Sequence, residues 1–145
     1  MAEDLISVIV PVFNEEGNIN TLYDRIKIVF EPIPENFELI FVDDGSIDNS
    51  GMIIRELARA DHKVRLLTFT RNFGHQQAVS AGLKWCQGNC AIIIDADLQD
   101  PPELIPDMLT KWREGYQVVY ATRSKRMGLI CSVSLGRARR RARRY

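Results

Sequence analysis

Residues 92–100 read "IIIDADLQD". Three isoleucines run directly into Asp95, Asp97 and Asp100, with Gln99 between the last two. A short β-branched run of this kind fits a strand covered on both faces. Asp95 and Asp97 stand two apart, so an extended backbone puts their side chains on one face. Two ionised carboxylates held that close repel unless a cation or hydrogen bonds offset them. Gln99 adds a neutral oxygen two residues further on. Hard oxygen donors from one or two residues suit Mg²⁺ or Mn²⁺ when substrate phosphates complete the shell. Turn or cap chemistry is the plainer alternative for Asp95. Asp100 reads as the cap of a helix begun by Pro101 and Pro102.

The same pattern recurs outward from this stretch. "LISVIVPVF" (5–13), "FELIFVDD" (37–44), "VRLLTFT" (64–70), "CAIIIDA" (90–96) and "YQVVYATR" (116–123) read as strands. Amphipathic stretches lie between them. Ile19, Leu22, Tyr23, Ile26 and Phe30 have helical spacing, with Asn14 as the expected cap and Glu15 and Glu16 in the first turn. Ile53, Ile54, Leu57 and Ala58 form a second stripe. Residues 71–86 read as a loop entering a helix, and Leu104, Met108, Leu109 and Trp112 mark a fourth. Strands alternating with helices at short spacing predict an α/β fold with a mainly parallel sheet. Ligands of such sheets bind beyond the carboxyl ends of the strands, near a switch in strand order. The polar residues at those ends are therefore the candidates.

Composition narrows the classes. The chain has 145 residues, enough for one core, and equal numbers of basic and acidic residues, 19 each. Six of those basic residues, all arginine, and none of the acids lie in 127–145, leaving 1–126 acidic. The expected division is a ligand-binding unit over 1–126 and a basic tail over 127–145. "RARRRARRY" lacks interleaved aromatics and apolar periodicity, so it reads as an unfolded or non-native tail in preference to a nucleic-acid or lipid-binding arm. Cys86, Cys90 and Cys131 form neither a disulfide framework nor a zinc pattern. The acids before the first apolar run are wrong for a secretion signal. No stretch approaches the roughly 20 apolar residues of a membrane span.

At the first strand end, Glu15 can take a ribose hydroxyl. At the second, Asp43 or Asp44 can accept from a base edge or a ribose, Gly45 permits a tight turn, and Ser46 and Asp48 read as turn and cap residues. At the third, Arg71 can pair with a phosphate through two nitrogens, and the helix opened by Gly74 can face an anion. His75 stands alone and reads as a structural or supporting histidine in preference to a general base. Arg123, Lys125 and Arg126 bring the positive charge that a nucleoside-diphosphate leaving group needs. Neither a GxGxxG after strand one nor a Walker loop is present. A phospho-accepting receiver domain would put its acid pair after strand one, whereas here the main acidic cluster follows strand four.

"VIVPVFNEEGNI", "LIFVDDGSIDNS", "RNFGHQQAVSAGL" and "IIIDADLQDPPELIPDM" together resemble the N-terminal half of glycosyltransferase family two. The resembling branch is the polyprenyl-phosphate sugar transferases, which include bactoprenol glucosyl transferases and dolichol-phosphate mannose synthases. The match spans roughly residues 5–126. It implies a GT-A nucleotide-diphospho-sugar transferase fold, present here in part, and transfer with inversion. It assigns Pro11, Asn14, Glu15 and Asp43 to the nucleotide and puts Asp95 near the ribose and diphosphate. Asp97 and Gln99 become the divalent-metal ligands and Arg123 a phosphate contact, so Asp97 and Arg123 carry the catalytic charge.

The family pattern ends after about Arg126, where the arginine-rich tail replaces it, so a truncated or frameshifted form is expected. The reaction implied moves a hexose, glucose by expectation, from a UDP-sugar to undecaprenyl phosphate for O-antigen or other cell-envelope glycans. A phosphate monoester has a second pKa of about 6. The nucleophile is already largely anionic at neutral pH, and positioning matters more than a strong base. The parent is expected at the cytoplasmic face of the bacterial inner membrane, attached through its missing C-terminal part. This chain alone would be cytoplasmic. A homo-oligomer is left open, and no nucleic-acid partner is expected. The alternative is a fragment that binds nucleotide-sugar and metal without catalysing.

Overall fold

The computed structural model describes residues 4–119 and 121. Strand β1 (Leu5–Val12) leads into helix α1 (Ile19–Phe30), then β2 (Asn36–Asp43), α2 (Ser50–Ala60), β3 (Val64–Thr68), α3 (His75–Trp85) and β4 (Cys90–Ile93). A 3₁₀ turn at Pro102–Leu104 runs into α4 (Ile105–Arg113). All pairings are parallel and the strand order is β3-β2-β1-β4. The chain builds outward from β1 to β3, then crosses back to place β4 on the other side of β1. Strand order therefore reverses between β1 and β4, and their carboxyl ends diverge there.

The sheet is covered on both faces, as its near-continuous apolar strands require. Ile6, Val8, Val10 and Val12 of β1 pack with Phe41 and Ile92 against Leu22 and Ile26 of α1, Ile54 of α2 and Leu109 of α4. Ile9, Ile40, Val42 and Ala91 point the other way and pack against Ala78 of α3. A Cβ on Gly82 would stand 2.4 Å from the Ile9 side chain, so only glycine lets α3 lie this close to β1. Each fully buried isoleucine or leucine in these layers contributes about 1.5–3 kcal/mol.

The amino ends of the strands are tied by a buried carboxylate. Glu38, 6% exposed, accepts hydrogen bonds from Ser7 Oγ (2.5 Å), the Gln87 amide (2.6 Å) and Arg65 Nη1 (2.7 Å). Burial pushes its pKa up, but these three donors more than offset that and hold it below the ordinary carboxylate value. Cys86 beside it is pushed up by burial and by the Glu38 charge, which keeps the thiol protonated and unreactive.

Three expectations are corrected. Helix α1 begins at Ile19 with Asn18 before it, not at Asn14. Asn14 instead adopts a left-handed conformation (φ 53°), which asparagine tolerates better than most residues. Asp100 does not hold the cap position of the helical turn that follows, because Pro101 does, and proline has no side-chain donor or acceptor to cap with. The third concerns the strand expected over 116–123: residues 116–119 and 121 form none. Gly115 (φ 100°) ends α4, and the Tyr116 amide still bonds back to Lys111, so the chain there is leaving the helix. The rest of that span, Arg123 included, and the basic tail lie outside the described residues.

Candidate active site

A cleft of about 380 Å³ opens between the carboxyl ends of β1 and β4. Pro11, Phe13 and Glu15 line one wall, Asp95 and Asp97 the other, with Asp44, Asn72, Gly74 and His75 between them. The topology puts the cleft at the reversal of strand order, where ligands of open α/β sheets bind.

Two loops form its back. The loop after β1 and the loop after β2 are stitched by five cross-bonds. Asn14 N donates to Ser46 Oγ (3.0 Å), Glu15 N to Ser50 Oγ (2.9 Å) and Glu16 N to Asp48 Oδ2 (3.1 Å). In return Ile47 N donates to Asn14 Oδ1 and Asn49 N to Glu16 Oε2, both at 2.9 Å. Ser46 and Asp48 thus do the turn work expected of them. Asp48 pays a desolvation penalty, yet the Ser50 hydroxyl and the backbone donors around it hold its pKa low.

The acid pair at the end of β2 divides its labour. Asp43, 4% exposed, accepts from Ser46 N (3.0 Å) and faces Gly51, where a Cβ would stand 2.7 Å from Oδ2. Asp44, 3% exposed, accepts from Phe73 N (2.7 Å) and Gly74 N (3.0 Å). The entrance to α3 therefore does meet an anion, but it is the protein's own carboxylate. Gly45 (φ 71°) completes the junction, since a Cβ there would stand 2.4 Å from the Arg71 carbonyl carbon.

At the end of β4, Asp97 Oδ1 accepts from Gln99 N (3.0 Å), closing a small turn. Leu98 at its centre has φ 63°, a costly conformation for a bulky residue, and packs partly buried against the core. Both non-glycine residues with positive φ among those described, Asn14 and Leu98, flank this cleft. Asp97 and Gln99 are exposed. Their oxygens fit a hard cation that draws its remaining ligands from water or phosphate. Among the described residues no group of three or more His, Cys, Asp or Glu could hold a metal alone.

Of the residues expected at the site, Pro11, Glu15, Asp95 and Asp97 line the cleft together. Gln99 adjoins Asp97, and Asn14 and Asp43 hold the loops behind. Arg71 is exposed and stacks on the Phe73 ring at 4.1 Å, outside the cleft lining. Sequence reasoning missed the partner of His75, whose Nε2 lies 2.8 Å from Asp95 Oδ1.

The sequence profile of glycosyl transferase family 2 matches residues 7–130. The chain belongs to glycosyl transferase family 2. It is 55% identical over 122 residues to the uncharacterized glycosyltransferase YkcC of Bacillus subtilis, covering 84% of the chain and 38% of YkcC. It is 46% identical over 121 residues to the bactoprenol glucosyl transferase of Shigella phage SfV, covering 83% of the chain and 39% of that protein. The chain thus spans about two fifths of the length of these curated relatives. Among solved structures, glucosyl-3-phosphoglycerate synthase of Mycobacterium tuberculosis, in complex with Mn²⁺, UDP and glucosyl-3-phosphoglycerate, superposes with a TM-score of 0.65 at 26% identity. That match covers 83% of this chain and 45% of the synthase. The parallel sheet with flanking helices is that of GT-A glycosyltransferases.

Proposed function

We propose that the cleft between β1 and β4 binds the nucleoside-diphosphate part of a UDP-hexose, and that the whole protein transfers the hexose, glucose in our reading, to polyprenyl phosphate with inversion. The observation that carries this is the meeting of Glu15 with Asp95 and Asp97 across a cleft at the reversal of strand order. The 46% identity to a bactoprenol glucosyl transferase supports the sugar and the lipid phosphate. UDP and Mn²⁺ in the structural neighbour support the donor and the ion.

The roles follow from position. Pro11 and Glu15 would bound the nucleoside, with Glu15 Oε2 already oriented by Asn18 Nδ2 at 2.7 Å. Asn14 and Asp43 would fix the loops that shape this wall. Asp95 would face the ribose and diphosphate. Asp97 and Gln99 would hold Mg²⁺ or Mn²⁺. When bound, the ion supplies counter-charge to the diphosphate leaving group. Arg71 on the rim, and Arg123, would add phosphate contacts. A lipid phosphate is already anionic at neutral pH, so these residues need only orient the donor and hold water away.

Residues 1–126 would form the donor-binding unit, apart from the basic tail 127–145. Membrane contact and acceptor recognition belong to the whole protein, at the cytoplasmic face of the bacterial inner membrane in this reading. Among the described residues no helix is long and apolar enough to cross a membrane.

The test is a calorimetric titration of the chain with UDP and Mn²⁺, followed by incubation with radiolabelled UDP-glucose and undecaprenyl phosphate. Saturable, metal-dependent UDP binding supports the site. Lipid-linked label extends the activity to this chain, and binding without label assigns it the donor step alone. No binding of UDP overturns the proposal.

A further inference from the structure

His75 is the first residue of α3, and its side chain is 61% exposed. Its Nε2 meets Asp95 Oδ1 at 2.8 Å, joining the helix to the end of β4 across the cleft floor. Asp95 also lines the cleft, so the carboxylate that meets His75 is one that a bound ligand would face.

The histidine itself stands on a fixed platform. Asp44 holds the two amides just before it, at Phe73 and Gly74. Gly45 packs on the backbone of Arg71 and Asn72. Gly74 (φ 103°, ψ 155°) sets the direction in which α3 starts. The carboxyl end of β2 thereby fixes where the imidazole sits, and the imidazole meets the carboxylate at the end of β4. An N–H donated to Asp95 also offsets the repulsion between Asp95 and Asp97.

We propose that His75 is a positioning residue: its Nε2–H holds one oxygen of Asp95 so that the other is presented to the donor diphosphate and ribose. This rests on the donor site proposed above. Histidine acts here through Asp95 and exchanges no proton with the substrate. Partners that orient metal-binding side chains cost about 10–100-fold in affinity or activity when removed, and the low end of that range is the expectation for this pair.

The experiment is a set of UDP titrations in saturating Mn²⁺ on wild type, His75→Ala, His75→Gln, Asp95→Ala and His75→Ala/Asp95→Ala, each with a thermal melt. His75→Ala should weaken UDP by about tenfold at unchanged melting temperature, because the side chain is exposed. His75→Gln, whose Nε2 amide can still donate to Asp95, should recover most of the loss. In the Asp95→Ala background, His75→Ala should cost nothing further. Wild-type affinity in His75→Ala, or an equal loss with and without Asp95, overturns the positioning role and leaves the donor site standing. A wild-type chain that binds no UDP overturns the donor site, and this inference with it.

Discussion

Replacing Asp44 tests whether the end of β2 sets the entrance to α3. Its carboxylate is 3% exposed and accepts two amides, from Phe73 at 2.7 Å and Gly74 at 3.0 Å. Hydrogen bonds to a charged group are worth about 1.5–3 kcal/mol each. Asp44→Ala removes both, and the two amides recover part of the loss from water, since Phe73 is exposed and Gly74 half-exposed. The net cost should be about 3–4 kcal/mol, a large share of the roughly 5–15 kcal/mol that holds a domain together. Asp44→Asn keeps one acceptor and turns an NH₂ towards the other amide, for a cost of about 2 kcal/mol. Urea unfolding should show midpoints in the order wild type, Asn, Ala, with the Ala variant lower by about 2 M if the slope is about 1.5–2 kcal/mol/M. Hydrogen exchange supplies the local reading: Phe73 and Gly74 amides should be protected in wild type and lose that protection in both variants. Variants equal to wild type within about 0.5 kcal/mol, with those amides already unprotected in wild type, would refute the clamp.

Other outcomes follow from the same geometry. Glu38→Gln should destabilise by about 1–3 kcal/mol at neutral pH, because the buried carboxylate's charge-assisted bonds from Ser7, Gln87 and the half-exposed Arg65 are weakened. The folded pKa of Glu38 lies below the unfolded one, so its stabilisation is full above the ordinary carboxylate range and fades as pH falls through the folded value. Acid titrations of the two proteins should therefore converge as pH falls below the ordinary carboxylate range. Gly45→Ala should cost more than about 2 kcal/mol in a thermal melt, from its positive φ and the 2.4 Å approach to Arg71. Gly17→Ala, with nothing within 4 Å of the new methyl, should be near neutral in the same assay. Asp97→Ala should abolish the Mn²⁺-dependent part of UDP binding while costing no more than about 1.5 kcal/mol of stability, the worth of the exposed turn bond it accepts from Gln99 N.

Much of this architecture was legible because it repeats. Continuous apolar runs ending in polar residues gave β1, β2, β3 and β4, and the stripe Ile19, Leu22, Ile26, Phe30 gave the buried face of α1. The site was legible as a set of strand ends. What was not legible depends on backbone torsion or on pairing between elements. Asp43 and Asp44 are neighbours in sequence, and only the turn at Gly45 decides that one braces its own loop while the other clamps the next. Asn14 looked like a cap because it precedes two glutamates, but its left-handed backbone delays the helix to Ile19. His75 looked isolated because its partner lies 20 residues away, on an element brought alongside only by the crossover from β3 to β4. The span 116–123 has strand composition, and its described residues take another course because Gly115 and the bond from Tyr116 to Lys111 govern the exit from α4.

The central claim is that nucleotide and metal share the cleft between β1 and β4, and Mn²⁺ can report its own position there. Amide spectra of the ¹⁵N-labelled chain with UDP should be recorded as substoichiometric Mn²⁺ is added. Paramagnetic broadening centred on Asp97 and Gln99, reaching Asp95, Glu15 and His75 and lost in Asp97→Ala, is the predicted result. Broadening centred instead on the groove at the opposite end of the sheet, lined by Tyr23, Glu35, Asp61 and Lys63, or spread without a centre, would contradict it.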